Sequence, residues 1–438
     1  MNRAFLKTAL LPWKEKKRRK PLLIHGARQV GKTTLLKQFG QTSFQSFHYF
    51  NFERNPKLRE IFASERRLDP LTIIDELQVL QTTQIRIESD LIIFDEIQAA
   101  PTALTSLKYF AEECPTAFIA AAGSLLGLSL SEGASFPVGK VQIEQMFPLT
   151  FAEYVEAQNQ PNLLTHYHQA SPSEIYSSKL SELFFEYLAV GGMPEAVQHF
   201  LTYRSTGRTE ALRQTREIQL DLIEAHLSDI AKHSGPVNSL HIQFVFSSIP
   251  KQLAKTSSKF IFKDVIPGRT GFEKLRQPLD WLERAGLIHK VSLINQAEVP
   301  LMAQSIDNSF KLYLFDVGLL GALGDIAIES ILQIEKEPLR FKGALYENFV
   351  AQELTAAGVR PFSWVNGTAE IEFVIQAGMS IIPIEVKSAI NRKAKSLNVF
   401  LEKYPKTKKR FFILSPDAHL GKHRAPIWYA AKCLKHPH

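Results

Sequence analysis

Apolar runs of strand length recur through the first third of the chain, separated by helical patterns. Residues 22–24, 91–94 and 118–122 are such runs, and each precedes a polar turn. Residues 47–52 alternate aromatic and polar side chains, which is typical of a further strand. Strands that alternate with helices predict an α/β fold, in which a parallel sheet is covered on both faces and binds ligand at the carboxyl ends of its strands.

The first apolar run leads into a glycine-rich loop with the pattern G-x-x-x-x-G-K-[ST], between a predicted strand and a predicted helix. Gly26 and Gly31 let successive N–H groups turn towards one anion, Lys32 reaches the β- and γ-phosphates, and the Thr33 hydroxyl is offered to Mg²⁺. The alternative is a glycine-rich turn that matches by chance. The predicted nucleotide-binding residues of the loop are Gly26, Ala27, Arg28, Gln29, Val30, Gly31, Lys32, Thr33 and Thr34.

Two later strands end in polar residues that complete this chemistry. The run at 91–94 ends in Asp95 and Glu96, which predicts a Mg²⁺ ligand followed by a carboxylate that polarises the attacking water. Ser124 follows the run at 118–122, where it would face the γ-phosphate. The alternatives are an acidic residue that caps a strand and an exposed serine in a turn.

Composition predicts a folded protein of more than one domain. The 438 residues exceed the roughly 250–300 at which single cores stop growing. A hydrophobic content of 45% without any run of about 18 apolar residues predicts no membrane span. Cys114 and Cys433 are too few for a disulfide framework, and the first basic run follows rather than precedes an apolar patch, unlike a signal peptide. We therefore expect a cytoplasmic protein.

The net charge of +8 favours a polyanionic partner. Basic residues cluster at 14–20 and at 403–410, where they could contact DNA or simply form solvated surface.

Four stretches resemble bacterial and archaeal AAA-type ATPases that carry a C-terminal domain of unknown function: GARQVGKTTLL, LIIFDEIQAAP, AAAGSLLG and MFPLTFAEY. The resemblance runs nearly end to end, and it implies that Lys32, Thr33, Asp95 and Glu96 bind and hydrolyse ATP. It also implies a homo-oligomer, since a neighbour's arginine completes such sites. Residues 138–140 lack the expected arginine, and the possible substitutes are Arg213 and Arg216.

The middle of the chain is helical from about residue 161 to residue 233, which suits the helical lid that follows such ATPase cores. Residues 239–294 then indicate two helices, a further helix that ends at Gly286, and an alternating strand. This order is the outline of a winged helix, which either binds DNA or serves as a spacer.

The tail contains two strands that carry acidic residues, separated by Gly378 and Met379. A two-residue hairpin turn at that point sets the register and places Glu372 directly opposite Glu385. Two like charges in opposition are destabilising unless a cation lies between them, which favours a divalent metal site.

The same register places Glu370 opposite Lys387, so the alternative is a solvated charged face with a salt bridge between these two residues. Glu347 lies on the inward face of a preceding helix, where a carboxylate needs a partner.

The order of helix, two acidic strands, helix and strand resembles the restriction-endonuclease-like PD-(D/E)xK nucleases. The resemblance implies that Glu372 and Glu385 hold Mg²⁺, or Mn²⁺, that Lys387 stabilises developing charge, and that Glu347 supports the site. The family more often has aspartate where this chain has Glu372.

We therefore expect an ATP-hydrolysing enzyme coupled to a metal-dependent nuclease that acts on DNA, or alternatively an ATP-controlled DNA-binding regulator that does not cleave. The expected domains are an AAA-type P-loop core (1–158), a helical lid (159–235), a winged-helix-like domain (236–300), a connector (301–335) and a restriction-endonuclease-like α/β domain (336–438).

Overall fold

A computed structural model describes residues 3–63, 68–124, 139–170, 173–255, 259–266, 271–333, 341–388 and 394–434. The chain divides into two compact units, Met1–Pro148 with Arg284–Gly286, and Leu149–Glu283 with Leu287–His438. Within the described ranges, no helix is long and apolar enough to cross a membrane.

The first unit is built on a five-stranded sheet. Its strands are β1 (Leu22–His25), β2 (Phe47–Asn51), β3 (Leu91–Asp95), β4 (Phe118–Gly123) and β5 (Gln142–Gln145). They lie in the order β2-β3-β4-β1-β5, and every neighbouring pair is parallel. Its described helices are α1 (Leu11–Lys14), α2 (Lys32–Ser43), α3 (Pro56–Ile61), α4 (Pro70–Gln81) and α5 (Pro101–Glu113).

Burial along these strands explains the sheet and the position of its ligand edge. Every residue of β3 is buried, as expected for a parallel strand covered on both faces, whereas the edge strand β2 alternates. The register places Asp95 beside Ala122 and His25 beside Gly123. The predicted parallel sheet of an α/β fold is therefore confirmed, and the ends of β1, β3 and β4 meet at one edge.

The basic run at 14–20 is partly structural. Arg19 is buried, its guanidinium lies 3.7 Å from the centre of the Phe118 ring, and it donates to the carbonyl oxygens of Lys14, Lys16 and Thr116. These groups hold the N-terminal segment against β4, so the run is not simply a cluster of exposed cations.

The chain after Pro148 begins with helices. The helices described there are α6 (Phe151–Glu156), α7 (Pro161–Gln169), α8 (Glu174–Val190), α9 (Pro194–Tyr203), α10 (Arg208–His233), α11 (Pro236–Leu253), α12 (Arg276–Arg284), α13 (Val317–Leu323), α14 (Ile328–Leu332), α15 (Lys342–Ala356) and α16 (Lys395–Lys403). Helix α6 starts at a capping box, in which the Thr150 side chain accepts from the Glu153 N–H and the Glu153 carboxylate accepts from the Thr150 N–H.

The second unit contains a seven-stranded mixed sheet in the order β12-β11-β10-β9-β8-β6-β7. Its strands are β6 (Ile288–Ile294), β7 (Ser305–Leu314), β8 (Phe362–Asn366), β9 (Ala369–Ala377), β10 (Ser380–Val386), β11 (Phe412–Ser415) and β12 (Arg424–Pro426). Strand β6 pairs antiparallel with β7 and parallel with β8. The predicted strand of the winged helix is β6, and it pairs in parallel with β8 of the C-terminal region. The expected domain boundaries at residues 300 and 335 therefore fall between strands of one sheet.

Candidate functional site

The glycine-rich loop lies between β1 and α2. Gly26 has a φ of +148° and Gly31 a φ of +97°, in the region that favours glycine. A Cβ on Gly26 would lie 2.1 Å from the carbonyl oxygen of Met146, which a side chain does not tolerate. Gln29 also has a positive φ, of +64°. The loop thus has the local backbone that the pattern predicts.

The remaining loop residues divide between the interior and the surface. Ala27 and Val30 are buried, whereas Arg28, Gln29 and Thr34 are exposed. The buried pair fixes the loop to the unit, and the exposed residues lie on its outer side.

Lys32 begins α2 and is buried, with 6% of its surface exposed. Its Nζ donates to the carbonyl oxygens of Gly26 and Ala27, at 2.9 and 2.8 Å. Burial lowers the pKa of Lys32 to about 8, although the carboxylates of Glu96 and Asp95 oppose this shift. A buried ammonium held by two neutral carbonyls at a helix N-terminus is a site that favours an anion.

Asp95, at the end of β3, accepts hydrogen bonds from several side chains at this edge of the sheet. Its Oδ2 accepts from the Thr33 hydroxyl at 2.9 Å and from the Tyr49 hydroxyl at 2.7 Å. The Asn51 amide lies 3.5 Å from the same oxygen. Tyr49 and Asn51 were missed in the sequence, where the alternation of β2 indicated only a strand. The sequence feature that could have identified them is that both carry a polar group and lie on the same face of that strand.

Glu96 adopts a left-handed backbone with φ of +51°, and its carboxylate accepts from the Gln98 amide at 2.5 Å. Burial raises the pKa of Glu96, partly offset by that hydrogen bond. Ser124 follows Gly123 at the end of β4 and is 9% exposed. Both residues lie at the edge where Asp95 ends its strand.

The two arginines considered for a trans-acting role have partners within the chain. Arg213 pairs with Glu210, at 2.6 Å, and with Glu217. Arg216 donates to the carbonyl oxygen of Ile326 at 2.9 Å. At 138–140, Val138 lies outside the described residues and Lys140 pairs with Glu112 at 2.8 Å.

In the tail, the β9–β10 hairpin has the predicted register. Ser380 pairs with Ala377 and Ile384 with Phe373, so the next step of the ladder reaches Glu385 and Glu372. Glu372 accepts from the Val386 N–H at 3.1 Å. The predicted register is confirmed from Ser380 to Ile384, and the pairings of Glu385 and Lys387 beyond it stay predictions.

Glu385 is fully buried, and Lys387 Nζ lies 2.5 Å from its Oε1. Its Oε2 has no hydrogen-bond donor among the described residues. Burial raises the pKa of Glu385, and Lys387 opposes that shift. Burial, and next the charge of Glu347, raise the pKa of Glu372, with Glu385 as a smaller contributor.

Strand β7 brings two further residues that sequence reasoning missed. Lys311 Nζ lies 3.1 Å from Glu347 and also pairs with Glu370, and the Tyr313 hydroxyl donates to Glu347 at 2.8 Å. Glu370 therefore pairs with Lys311, not with Lys387 as the salt-bridge alternative assumed. Glu347 thus finds its partners, Lys311 and Tyr313, on a strand distant in sequence. No local sequence pattern indicates this contact.

The described ranges contain no group of three or more His, Cys, Asp or Glu side chains placed to hold a metal ion. A metal ion bound by Glu372 and Glu385 would therefore take its remaining ligands from groups other than these side-chain types.

Comparisons with protein families agree with the geometry of the first unit. Residues 18–155 match a family described as an AAA domain, residues 181–331 a domain of unknown function (DUF8612), and residues 342–427 another domain of unknown function (DUF4143). Residues 18–155 of the chain are thus similar to AAA domains. The match over the tail names no activity.

Among solved structures, a Walker-type ATPase of Pyrococcus abyssi is 15% identical, with 73% of this chain and 93% of that chain covered and a TM-score of 0.42. A structure of Drosophila ORC bound to DNA is 13% identical, with 74% and 91% covered and a TM-score of 0.25. Similarity at this level supports no conclusion about activity. A comparison with curated proteins finds no match.

Proposed function

We propose that the AAA-type domain at residues 18–155 binds ATP with Mg²⁺ and hydrolyses it at the loop of residues 26–34. The observation that carries this proposal is Lys32, a buried ammonium whose hydrogen-bond acceptors are the loop carbonyls of Gly26 and Ala27. Phosphate oxygens are stronger acceptors for such a group than neutral carbonyls.

Each residue has a separate role in this reaction. Lys32 binds the β- and γ-phosphates, and the first N–H groups of α2 add a positive dipole end. Thr33 and Asp95 would hold Mg²⁺, which supplies positive charge against the phosphate oxygens when bound. Glu96 orients the attacking water and accepts its proton, and Ser124 donates to the γ-phosphate.

The test is phosphate release measured beside nucleotide binding. Lys32→Met should abolish both, because it removes the ammonium that binds the phosphates. Glu96→Gln should retain binding and slow turnover by about a hundredfold or more, because it removes only the base. Turnover that survives both substitutions would contradict the proposal.

A second candidate function is metal-dependent hydrolysis of phosphodiesters at the tail. Two observations favour it. The β9–β10 register is the one that, continued by one pair beyond Ile384 and Phe373, opposes Glu385 to Glu372. The buried Oε2 of Glu385 has no donor in the described part of the chain. Mg²⁺ is commonly held by one or two carboxylates together with waters and substrate phosphates, so two glutamates fit it. Lys387, beside Glu385, would stabilise charge on the phosphate.

Supercoiled plasmid incubated with Mg²⁺ or Mn²⁺, with and without ATP, tests this activity. We expect nicking that Glu385→Gln abolishes, since the amide is a poorer metal ligand. Plasmid that stays intact but is shifted on a gel would favour the ATP-controlled DNA-binding regulator instead.

We also propose that the active ATPase is a homo-oligomer, because a neighbour's arginine is the usual complement of such sites. Sedimentation with and without a non-hydrolysable ATP analogue tests this. A single monomeric species under both conditions would contradict it.

A further inference from the structure

We infer that Tyr49 is a positioning residue for the magnesium-nucleotide site, acting through Asp95; this inference rests on the proposed ATP-binding function. The Tyr49 hydroxyl lies 2.7 Å from Asp95 Oδ2, closer than the Thr33 hydroxyl at 2.9 Å. The loop pattern assigns Thr33 to the site, whereas no motif assigns Tyr49.

The strand register explains why the tyrosine reaches this oxygen. Asn51 on β2 is the partner of Asp95 on β3, and Tyr49 is two residues before Asn51. Side chains two apart on a strand share a face, so Tyr49, Asn51 and Asp95 lie on the same side of the sheet.

Hydrogen bonds fix the direction in which the tyrosine proton points. Asn51 Oδ1 accepts from the backbone N–H groups of Glu53 and Arg54, at 3.1 and 2.8 Å. Its amide nitrogen therefore faces Tyr49 and donates to the hydroxyl oxygen at 3.2 Å. Because that oxygen is the acceptor of one bond, the hydroxyl proton is directed to Asp95.

The ring of Tyr49 is held from the other side by α2. Lys37 Nζ lies 3.7 Å from the ring centre, a cation–π contact. Lys37 is four residues after Thr33 and so lies one turn further along the same helix face. The tyrosine thereby links the helix that carries Thr33 to the strand that carries Asp95.

The consequence for the carboxylate is that its two oxygens differ. Thr33, Tyr49 and Asn51 all approach Oδ2, while Oδ1 has no donor from the described residues. Tyr49 therefore stabilises one orientation of the Asp95 carboxylate. In that orientation Oδ1 is the oxygen that could contact a bound cation or its water ligands. Charge-assisted bonds of this kind are short and strong, which suits a positioning role.

Tyr49→Phe keeps the ring and its contact with Lys37 but removes the hydroxyl. We expect the affinity for a non-hydrolysable ATP analogue, measured by fluorescence titration, to fall about tenfold in Mg²⁺ and to stay within about twofold in EDTA. The Mg²⁺ concentration at half-saturation should rise in parallel. Tyr109→Phe, the same change on α5 away from Asp95, should alter neither affinity.

Asn51→Ala is the second variant, and it remains informative if Tyr49→Phe fails to fold, as judged by thermal unfolding without ligand. It should give a smaller loss that is also confined to Mg²⁺. The double variant should lose little more than Tyr49→Phe alone, because Asn51 lies closer to the Tyr49 hydroxyl, at 3.2 Å, than to Asp95 Oδ2, at 3.5 Å.

Equal weakening of Tyr49→Phe in Mg²⁺ and in EDTA would show a merely structural role and overturn the inference, as would unchanged affinity in both. In either case a wild-type protein that binds the analogue leaves the proposed function standing. A wild-type protein that binds no nucleotide under either condition overturns both.

Discussion

At Gly26 the glycine-rich loop passes close to the backbone of Met146. The Gly26 φ of +148° and the 2.1 Å that would separate a Cβ from the Met146 oxygen both exclude a side chain. Since the obstacle is a backbone atom, no rotamer change can relieve it.

We predict that Gly26→Ala lowers stability by about 2 kcal/mol and abolishes nucleotide binding, because the loop must shift away from Met146. Gly343→Ala is the matched control, since a Cβ there meets nothing within 4 Å and Gly343 lies in helix α15. It should leave stability equal or slightly higher. Urea unfolding of both variants decides the matter, and equal stabilities would contradict the prediction.

Arg19 shows how a cation in a basic run can be part of the core. We predict that Arg19→Ala destabilises the protein by about 2 kcal/mol, because it removes the stacking on Phe118 and several hydrogen bonds to carbonyls. Lys17→Ala, at an exposed position of the same run, should change stability little. Thermal unfolding measures both, and a stable Arg19→Ala protein would show that the contacts contribute nothing.

At the scale of elements, helix α15 places a buried carboxylate at the start of α6. The Phe151 N–H donates to Glu353 Oε1 at 2.9 Å. Burial raises the pKa of Glu353 to about 8 from its ordinary 4.5, although that hydrogen bond opposes the shift and Glu153 adds to it. The folded protein thus binds a proton that the unfolded chain has released between about pH 4.5 and pH 8.

We predict that this group makes stability fall as pH rises through that window. Glu353→Gln keeps an acceptor for Phe151 without an ionisable proton, so it should raise stability by about 4 kcal/mol at pH 8 and little at pH 4.5. Glu402→Gln, at an exposed site on α16, is the control. Unfolding curves at four pH values test this; a gain that is the same at every pH would rule out ionisation as the cause.

Sequence patterns correctly predicted the features that depend on residues close together along the chain. The loop from Gly26 to Thr33 is a local motif, and the β9–β10 register follows from a two-residue turn. Lys311 and Tyr49 were missed because each reaches its carboxylate from a strand distant in sequence. Binary patterning shows which face of a strand is buried but not which strand lies beside it.

At the scale of the whole molecule, the two candidate sites belong to different compact units, Lys32 to the first and Glu385 to the second. We predict that Lys32→Met stops ATP turnover and retains plasmid nicking measured without ATP, while Glu385→Gln stops plasmid nicking and spares ATP turnover. Phosphate release and gel assays on the same preparations measure both. Loss of ATP turnover in Glu385→Gln would contradict the separation.

The parallel pairing of β6 with β8 limits where the chain can be divided for expression. A fragment that starts at residue 341 would lack β6 and β7 and leave the backbone of β8 unpaired along one side. Exposed sheet edges recruit other chains, so such a fragment should aggregate even if every tail residue is present. A soluble C-terminal fragment has to begin upstream of Ile288.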